Sequence, residues 1–354
     1  MMRVVKRVGV GTAVAVLLGT GVLASSAAAA PVGCGTVITA DTTLTANVGP
    51  CPRGGLVIGA DNVTLNLGGR TVFGKDRTGD GAGILIDGHT GVTVKNGTVR
   101  AFDAGVVIAR GGSNTVQAIT ARDNIGSLKG KNELGDGITI RSSDGNTISA
   151  NTAFHNGPFS GISIIGDTSD PAGGSSSNEI VGNSVVDNDV PSTEFGPNQD
   201  DGIRIEGPNA KDNSVHANTV RGNGLDGIAV FADQRTGLLN TGNQIYDNTV
   251  EGNGFHEFGH RKGDGIILFG LPTNPAVGGA DSTNVHDNQV HGNAANGIRV
   301  NSEDNTITNN DARGNAAFPG VTAFDLRDIN PTCDNNTWSG NLFDTATPLC
   351  TTAP

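Results

Sequence analysis

The stretch NSVHANTVRGNGLDGIAVF, residues 213–231, holds one full period of the chain. Asn213, Asn218 and Asn223 recur at five-residue intervals, Val215 and Val220 each sit two residues after an asparagine, and Gly227 then opens Ile228-Ala229-Val230. Apolar residues alternating with polar ones over so short a run mark an extended strand with one side inside. The asparagines are expected between strands, where a short amide tolerates left-handed backbone and bonds neighbouring backbone groups. Each would mark a corner.

The phrase repeats. Its first half returns at Asn146/Ile148/Asn151/Asn156, Asn178/Ile180/Asn183/Asn188, Asn243/Ile245/Asn248/Asn253 and Asn305/Ile307/Asn310/Asn315, with weaker copies around Val94, Val116, Val285 and Trp338. Its second half returns as GDGITIR (135–141), SGISIIG (160–166), DDGIRIE (200–206), GDGIILF (263–269) and ANGIRVN (295–301). From Val94 to Trp338 the first apolar position recurs at intervals of 22, 32, 32, 35, 30, 40, 22 and 31 residues. The minimum fits one circuit of three short strands. Circuits stacked at about 4.8 Å bury a continuous Val/Ile core and pair each strand with the one above. The expected fold is all-β, a single parallel β-helix of roughly 10–11 coils, about 50 Å long.

Composition agrees. With 54 Gly, 36 Asn, 4% aromatic and 16% charged residues, the chain is a poor helix former. Disorder combines low hydrophobicity with dense charge, whereas here 36% of residues are hydrophobic and regularly spaced.

At these residues the sequence resembles the right-handed parallel β-helix group, the pectate-lyase-like superfamily, over about residues 60–345. The resemblance implies a right-handed solenoid. The group includes lyases, hydrolases, epimerases and non-catalytic proteins, so the shared residues speak for fold rather than activity. Asp200-Asp201 resembles one element of the polygalacturonase pattern, while Gly259, His260, Arg261 and Lys262 only echo its Gly-His-Gly and Arg-x-Lys elements.

Residues 1–30 read as a secretory signal peptide: Arg3, Lys6 and Arg7, an apolar run, then Ser25, Ser26 and four alanines, with cleavage expected near 28–30. The apolar run is short for a membrane span. Net charge is −12, and loss of the three leader cations would make it −15, which repels nucleic acid and anionic membranes. Cys34, Cys51, Cys333 and Cys350 form two pairs, each 17 positions apart. Export makes disulfides plausible, and four cysteines allow three pairings; local loops would each staple one end by roughly 3 kcal/mol. The expected organisation is a stapled N-terminal cap over 31–60, then the solenoid over 61–345 with a stapled cap reaching 350.

Length beyond one coil enters at two phases, before Gly-Ile at 125–135, 189–199 and 254–263, and after it at 166–177, 232–242 and 270–282. Insertions at fixed phase emerge along fixed edges and would wall a groove. Its floor would carry the outward residues Arg141, Arg204, Glu206, Phe231, Phe269 and Arg299. Asp136, Ser160, Asp201, Asp226, Asp264 and Asn296 precede Gly-Ile in successive coils and should stack. Asp201 and Asp264 would divide acid and base roles two rungs, about 9.6 Å, apart, or the column with Asp200 and Asp226 would hold Ca²⁺. The alternative is that Asp-Gly simply makes a good corner. In GFHEFGHRKG (254–263), Arg261 or Lys262 would neutralise a sugar carboxylate and His260 abstract the adjacent proton.

His256, Glu257 and His260 form a literal H-E-x-x-H, a remote indication of a metal-dependent hydrolase in which His256 would be a ligand. Gly254, Gly259 and Gly263 work against the helix that motif needs. The only methionines are Met1 and Met2, which excludes a Met-rich copper site in the mature chain. The expectation is a secreted, monomeric protein acting on an acidic polysaccharide as a lyase or epimerase, or as a hydrolase; the rival is a non-catalytic glycan-binding or surface protein.

Overall fold

The computed structural model describes residues 32–75, 81–126, 135–166, 173–190, 200–232, 240–255, 262–270 and 279–352. Nearly all regular structure within them is short parallel strand. Twelve strands form one continuous sheet in strict chain order, from Val37–Ile38 through Asp201–Glu206 and Ile228–Phe231 to Ala346–Thr347. We call this the Gly-Ile sheet. The other strands build the remaining two sides of each coil: Glu179–Val181 pairs with Ser214–His216, while Ser184–Val186 pairs with Thr219–Arg221.

The register is the one the repeat requires. Leu65, Val94, Val116, Ile148, Ile180, Val215, Ile245, Val285, Ile307 and Trp338 are partners on successive rungs. All ten are buried, as are Val185, Val220 and Val250 on the second side and Ile203, Ile205, Ile228 and Val230 on the third. From Gly55 to Gly297 one residue in each coil must stay small. A Cβ on Gly202 would stand 2.4 Å from Val220 Cγ1, and one on Gly227 2.4 Å from Val250 Cγ1. Glycine before Ile therefore lets the Gly-Ile strand close onto the valine of the second side.

The asparagines do more than mark corners, and the left-handed residue is not the one expected. Positive φ falls on the residue just before each ladder asparagine, as at Ala150, His155, Ser177, Asp187, Asp212, Ala217 and Asp247. The asparagines themselves run from rung to rung and are buried except on the last rungs, where Asn315, Asn336 and Asn341 are partly exposed. One ladder contains Asn151, Asn183, Asn218, Asn248, Asn288, Asn310 and Asn341. In each step an Oδ1 accepts both the backbone N–H and the Nδ2–H of the previous asparagine. The Nδ2 group also donates to a main-chain carbonyl, as Asn218 does to Ile180 at 2.9 Å. Ladders through Asn146 and Asn156 serve the other corners in the same way. A corner interrupts the strand pairing, and the amide supplies the partners it would otherwise leave missing.

Both cysteine pairs are disulfides, Cys34 to Cys51 and Cys333 to Cys350. The first stretch of the described chain is wound into the coil, since Val37 and Ile38 pair with Val57 and Ile58 of the Gly-Ile sheet. At the other end Leu326 and Arg327 pair with Ala346 and Thr347. These two-residue terminal strands extend the sheet beyond the expected coils and are too short to show a period in sequence.

Candidate functional site

The acids before Gly-Ile do stack, and their oxygens are turned to the coil. Asp201 Oδ1 accepts the N–H of Asp226 at 3.0 Å, Asp226 Oδ1 that of Asp264 at 2.7 Å, and Asp264 Oδ1 that of Asn296 at 2.9 Å. Asp136 does the same for Ser160 at 2.9 Å. Asp201 and Asp264 stand two rungs apart as read, but at 0% and 1% exposure. Their second oxygens meet guanidiniums: Asp201 Oδ2 accepts from Arg204 Nη1 at 2.6 Å, and Asp264 Oδ2 lies 2.9 Å from Arg299 Nε. Among the described residues no group of three or more His, Cys, Asp or Glu is arranged to hold a metal ion.

Burial acts on this column. It pushes the Asp136 carboxyl up to about 7, against the bond from Ser160. Asp200, beside Asp189 and Asp201, is pushed up to about 8, chiefly by burial. Burial also raises Asp201 and Asp264, with Arg204 and Arg299 pulling the other way. Between about pH 4 and 7 the unfolded chain releases the Asp136 proton while the folded one keeps it, so stability falls with rising pH by roughly 1.4 kcal/mol per unit. Asp136→Asn retains an acceptor for Ser160 N–H, and the column already carries Asn296 at the equivalent place, bonding Phe324 N–H at 3.0 Å. Urea unfolding from pH 5 to 8 should show a shallower decline in Asp136→Asn than in the parent, with the variant the more stable at pH 8. An equal decline in both would refute the assignment.

The expected floor residues fall in register on the outward side of the Gly-Ile sheet. Glu206, Phe231 and Phe269 are successive partners, and the two rings lie 5.0 Å apart. Arg204 and Arg299 share the neighbouring column, with Ala229 and Ile267 between them. Arg204 is not held out toward a ligand. At 4% exposure it is clamped between Asp201, Glu206 Oε2 at 2.6 Å and the Phe231 ring, whose centroid is 4.0 Å from Cζ.

The residues that bound the strands line up along both edges of this sheet. Asp136, Ser160, Asp201, Asp226 and Asp264 mark one edge, and Ile165, Glu206, Phe231 and Phe269 precede the other. The segment beginning at Gly254 returns at Gly263, whose N–H reaches Gly254 O at 3.4 Å. Asp200 and Gly263 flank one residue: Leu225 N–H bonds Asp200 O, and Leu225 O lies against Gly263. Of the basic set in that segment, Lys262 sits with its Nζ 3.9 Å from the Phe318 ring centroid. His256, Glu257, His260 and Arg261 lie outside the described residues.

A trough of about 430 Å³ opens elsewhere on the same face, over early rungs. Its floor is Val57, Leu85 and Val107, the outward column of Leu56–Ile58, Ala82–Asp87 and Ala104–Ala109. Arg110, Asp87 and Arg141 line one side, and Arg110 Nε bonds Asp87 Oδ1 at 2.8 Å. Of these only Arg141 was expected. GILI (83–86) and GVVI (105–108) carry the Gly-Ile phrase and could have located the others.

The family model for the right handed beta helix region matches residues 53–344, most of the chain. The protein belongs to this family. No curated protein matches the sequence. Among solved structures, the pectate lyase Pel9A is 13% identical with a TM-score of 0.51, the match covering 86% of this chain and 80% of that one. The Dettilon tailspike protein is 16% identical with a TM-score of 0.50, covering 87% of this chain. The match spans about half of the tailspike, 53% of its length. At such identities the likeness is one of fold.

Proposed function

We propose that this β-helix protein is carbohydrate-active and takes an acidic polysaccharide along the outer face of its Gly-Ile sheet, in the trough over the early rungs. The observation that carries this is the trough itself: an apolar floor three rungs long, edged by Arg141 and by the Arg110–Asp87 ion pair. Elongated apolar floors with a few convergent polar groups suit an extended ligand, and a guanidinium binds a carboxylate in bidentate fashion. Charge supports the placement. Residues 32–126 hold eight Lys/Arg against seven Asp/Glu, whereas 127–354 hold twelve against twenty-eight. A polyanion is repelled least at the early rungs. One solved structure of this fold, a pectate lyase, agrees with a glycan ligand. The two disulfides support an oxidising compartment.

Titration calorimetry with uronic-acid hexamers tests the reading. Arg141→Ala should weaken binding in the trough by roughly tenfold, the loss of one charge-assisted contact. Unchanged affinity in that variant would sink it.

A catalytic reading would rest on Asp200, whose carboxyl burial pushes up to about 8 at the sheet edge beside Leu225, and it requires that a substrate reach a group now 2% exposed. A carboxyl still protonated at neutral pH can serve as a general acid. Incubation with polyuronates should then release unsaturated ends absorbing near 232 nm or new reducing ends, and Asp200→Asn should abolish the release. Silence across a broad polysaccharide panel would leave the protein a binding module.

A further inference from the structure

We propose that a second face of the solenoid, away from the trough, is a flat docking surface for a carboxylated polysaccharide lying along the rod axis. It is the side built from Thr71–Gly74, the later halves of Thr93–Arg100 and Thr115–Arg122, and Thr152–Phe154. Two outward columns run up it. Thr71, Thr98, Thr120, Thr152, Ser184, Thr219 and Thr249 are partners on seven successive rungs, a continuous line of hydroxyls. Two residues along each strand, Phe73, Arg100, Arg122 and Phe154 are partners on the first four.

Strand preference alone explains threonine here, since a β-branched residue fits a pleated, half-buried surface. It does not explain the second column. In a chain of net charge −12, neither column holds an acid over these four rungs, and the middle two carry guanidiniums on adjacent strands. Both are pre-set. Arg100 Cζ lies 5.1 Å from the centroid of the Phe73 ring and Arg122 Cζ 5.9 Å from that of Phe154. Asp123 takes Arg122 Nη1, which fixes that fork further. His155 adds its ring at the corner beside Phe154, 3.9 Å from Asp123.

The spacing selects the ligand class. Rungs repeat at about 4.8 Å and the two columns stand about 7 Å apart. A pyranose chain laid along the axis would present about one ring per rung, its hydroxyls to the threonines and its carboxylates to Arg100 and Arg122. Because each fork is already held by an aromatic ring, little rotamer freedom is lost when a carboxylate docks. This surface depends on neither the trough nor any catalytic assignment. It would let one polymer be gripped at two places, which raises avidity without new contacts at either site.

Calorimetry with hexagalacturonate separates the two sites. The parent protein should show two, and Arg100→Ala/Arg122→Ala should weaken one by roughly tenfold or more while the thermal midpoint and the other site stay as they were. Arg100→Lys/Arg122→Lys should recover part of the loss, and a neutral maltohexaose should not bind this face. The surface is disproved if the double alanine variant keeps the parent isotherm, or if maltohexaose competes equally for the site. Should Arg141→Ala alone abolish all binding, the trough stands and this face falls; should binding survive Arg141→Ala and vanish in the double variant, the reverse holds.

Discussion

Asn218→Ala is expected to lower unfolding free energy by about 4 kcal/mol, among the largest effects a single substitution at this surface-to-volume ratio can have. The side chain is fully engaged. Its Oδ1 accepts Asn183 N–H at 2.9 Å and Asn183 Nδ2 at 3.0 Å, and its Nδ2 donates to Ile180 O at 2.9 Å and to Asn248 Oδ1 at 3.0 Å. Alanine strands two buried donors on the rung below and a carbonyl beside them, each orphan costing about 1–3 kcal/mol. Because every rung hands its amide to the next, the break should also spread as local opening of the neighbouring corners. The neighbouring residue provides the control. Ala217 holds φ at 53° with its side chain outside the ladder, so Ala217→Gly should change stability by less than about 1 kcal/mol. Chemical denaturation of the two variants decides the matter. A loss of under 1 kcal/mol for Asn218→Ala would mean the ladder is ornamental.

That ladder also shows what was legible in the sequence. The spacing of Val94, Val116, Ile148 and their successors set the register rung by rung, because a residue that must face a narrow core cannot shift by one place without turning outward. Two roles are expected of the ladder asparagines from sequence, tolerance of left-handed backbone and bonding to neighbouring backbone groups, and only the second is theirs. In a stacked corner the scarcer resource is a hydrogen-bond partner, and the strained conformation passes to the preceding residue, whether Ala150, His155 or Asp187. Burial weighs toward the corner reading of the acids. Asp201 and Asp264 look like a carboxylate pair at catalytic spacing, but a repeat that closes on Asp-Gly sets the same spacing for a column whose oxygens hold backbone N–H groups. The trough is hard to find in the sequence because Leu56–Ile58, Ala82–Asp87 and Ala104–Ala109 precede the stretch where the Asn phrase is clear.

Arg204→Ala should cost about 3–5 kcal/mol, more than most core truncations, although the residue lies on the outward side of its sheet. Asp201, its partner at 2.6 Å, is wholly buried and one of its oxygens already holds Asp226 N–H. Removing the guanidinium leaves a carboxylate with neither water nor a counter-charge, and it can escape only by taking a proton. The pH dependence follows. With burial unopposed, the folded-state carboxyl of Asp201 rises further above its unfolded value near 4, so the variant loses stability as pH rises from about 4 through that raised value. Urea unfolding should therefore find the variant's deficit larger at pH 8 than at pH 5. Arg204→Met with Asp201→Asn removes charge and counter-charge together and keeps an acceptor for Asp226 N–H, so the pair should recover most of the loss and flatten the profile. If the single variant were as stable as the parent at pH 8, the clamp of Asp201, Glu206 and Phe231 around Arg204 would contribute nothing to folding, and the arginine would be free for a role at the outer face instead.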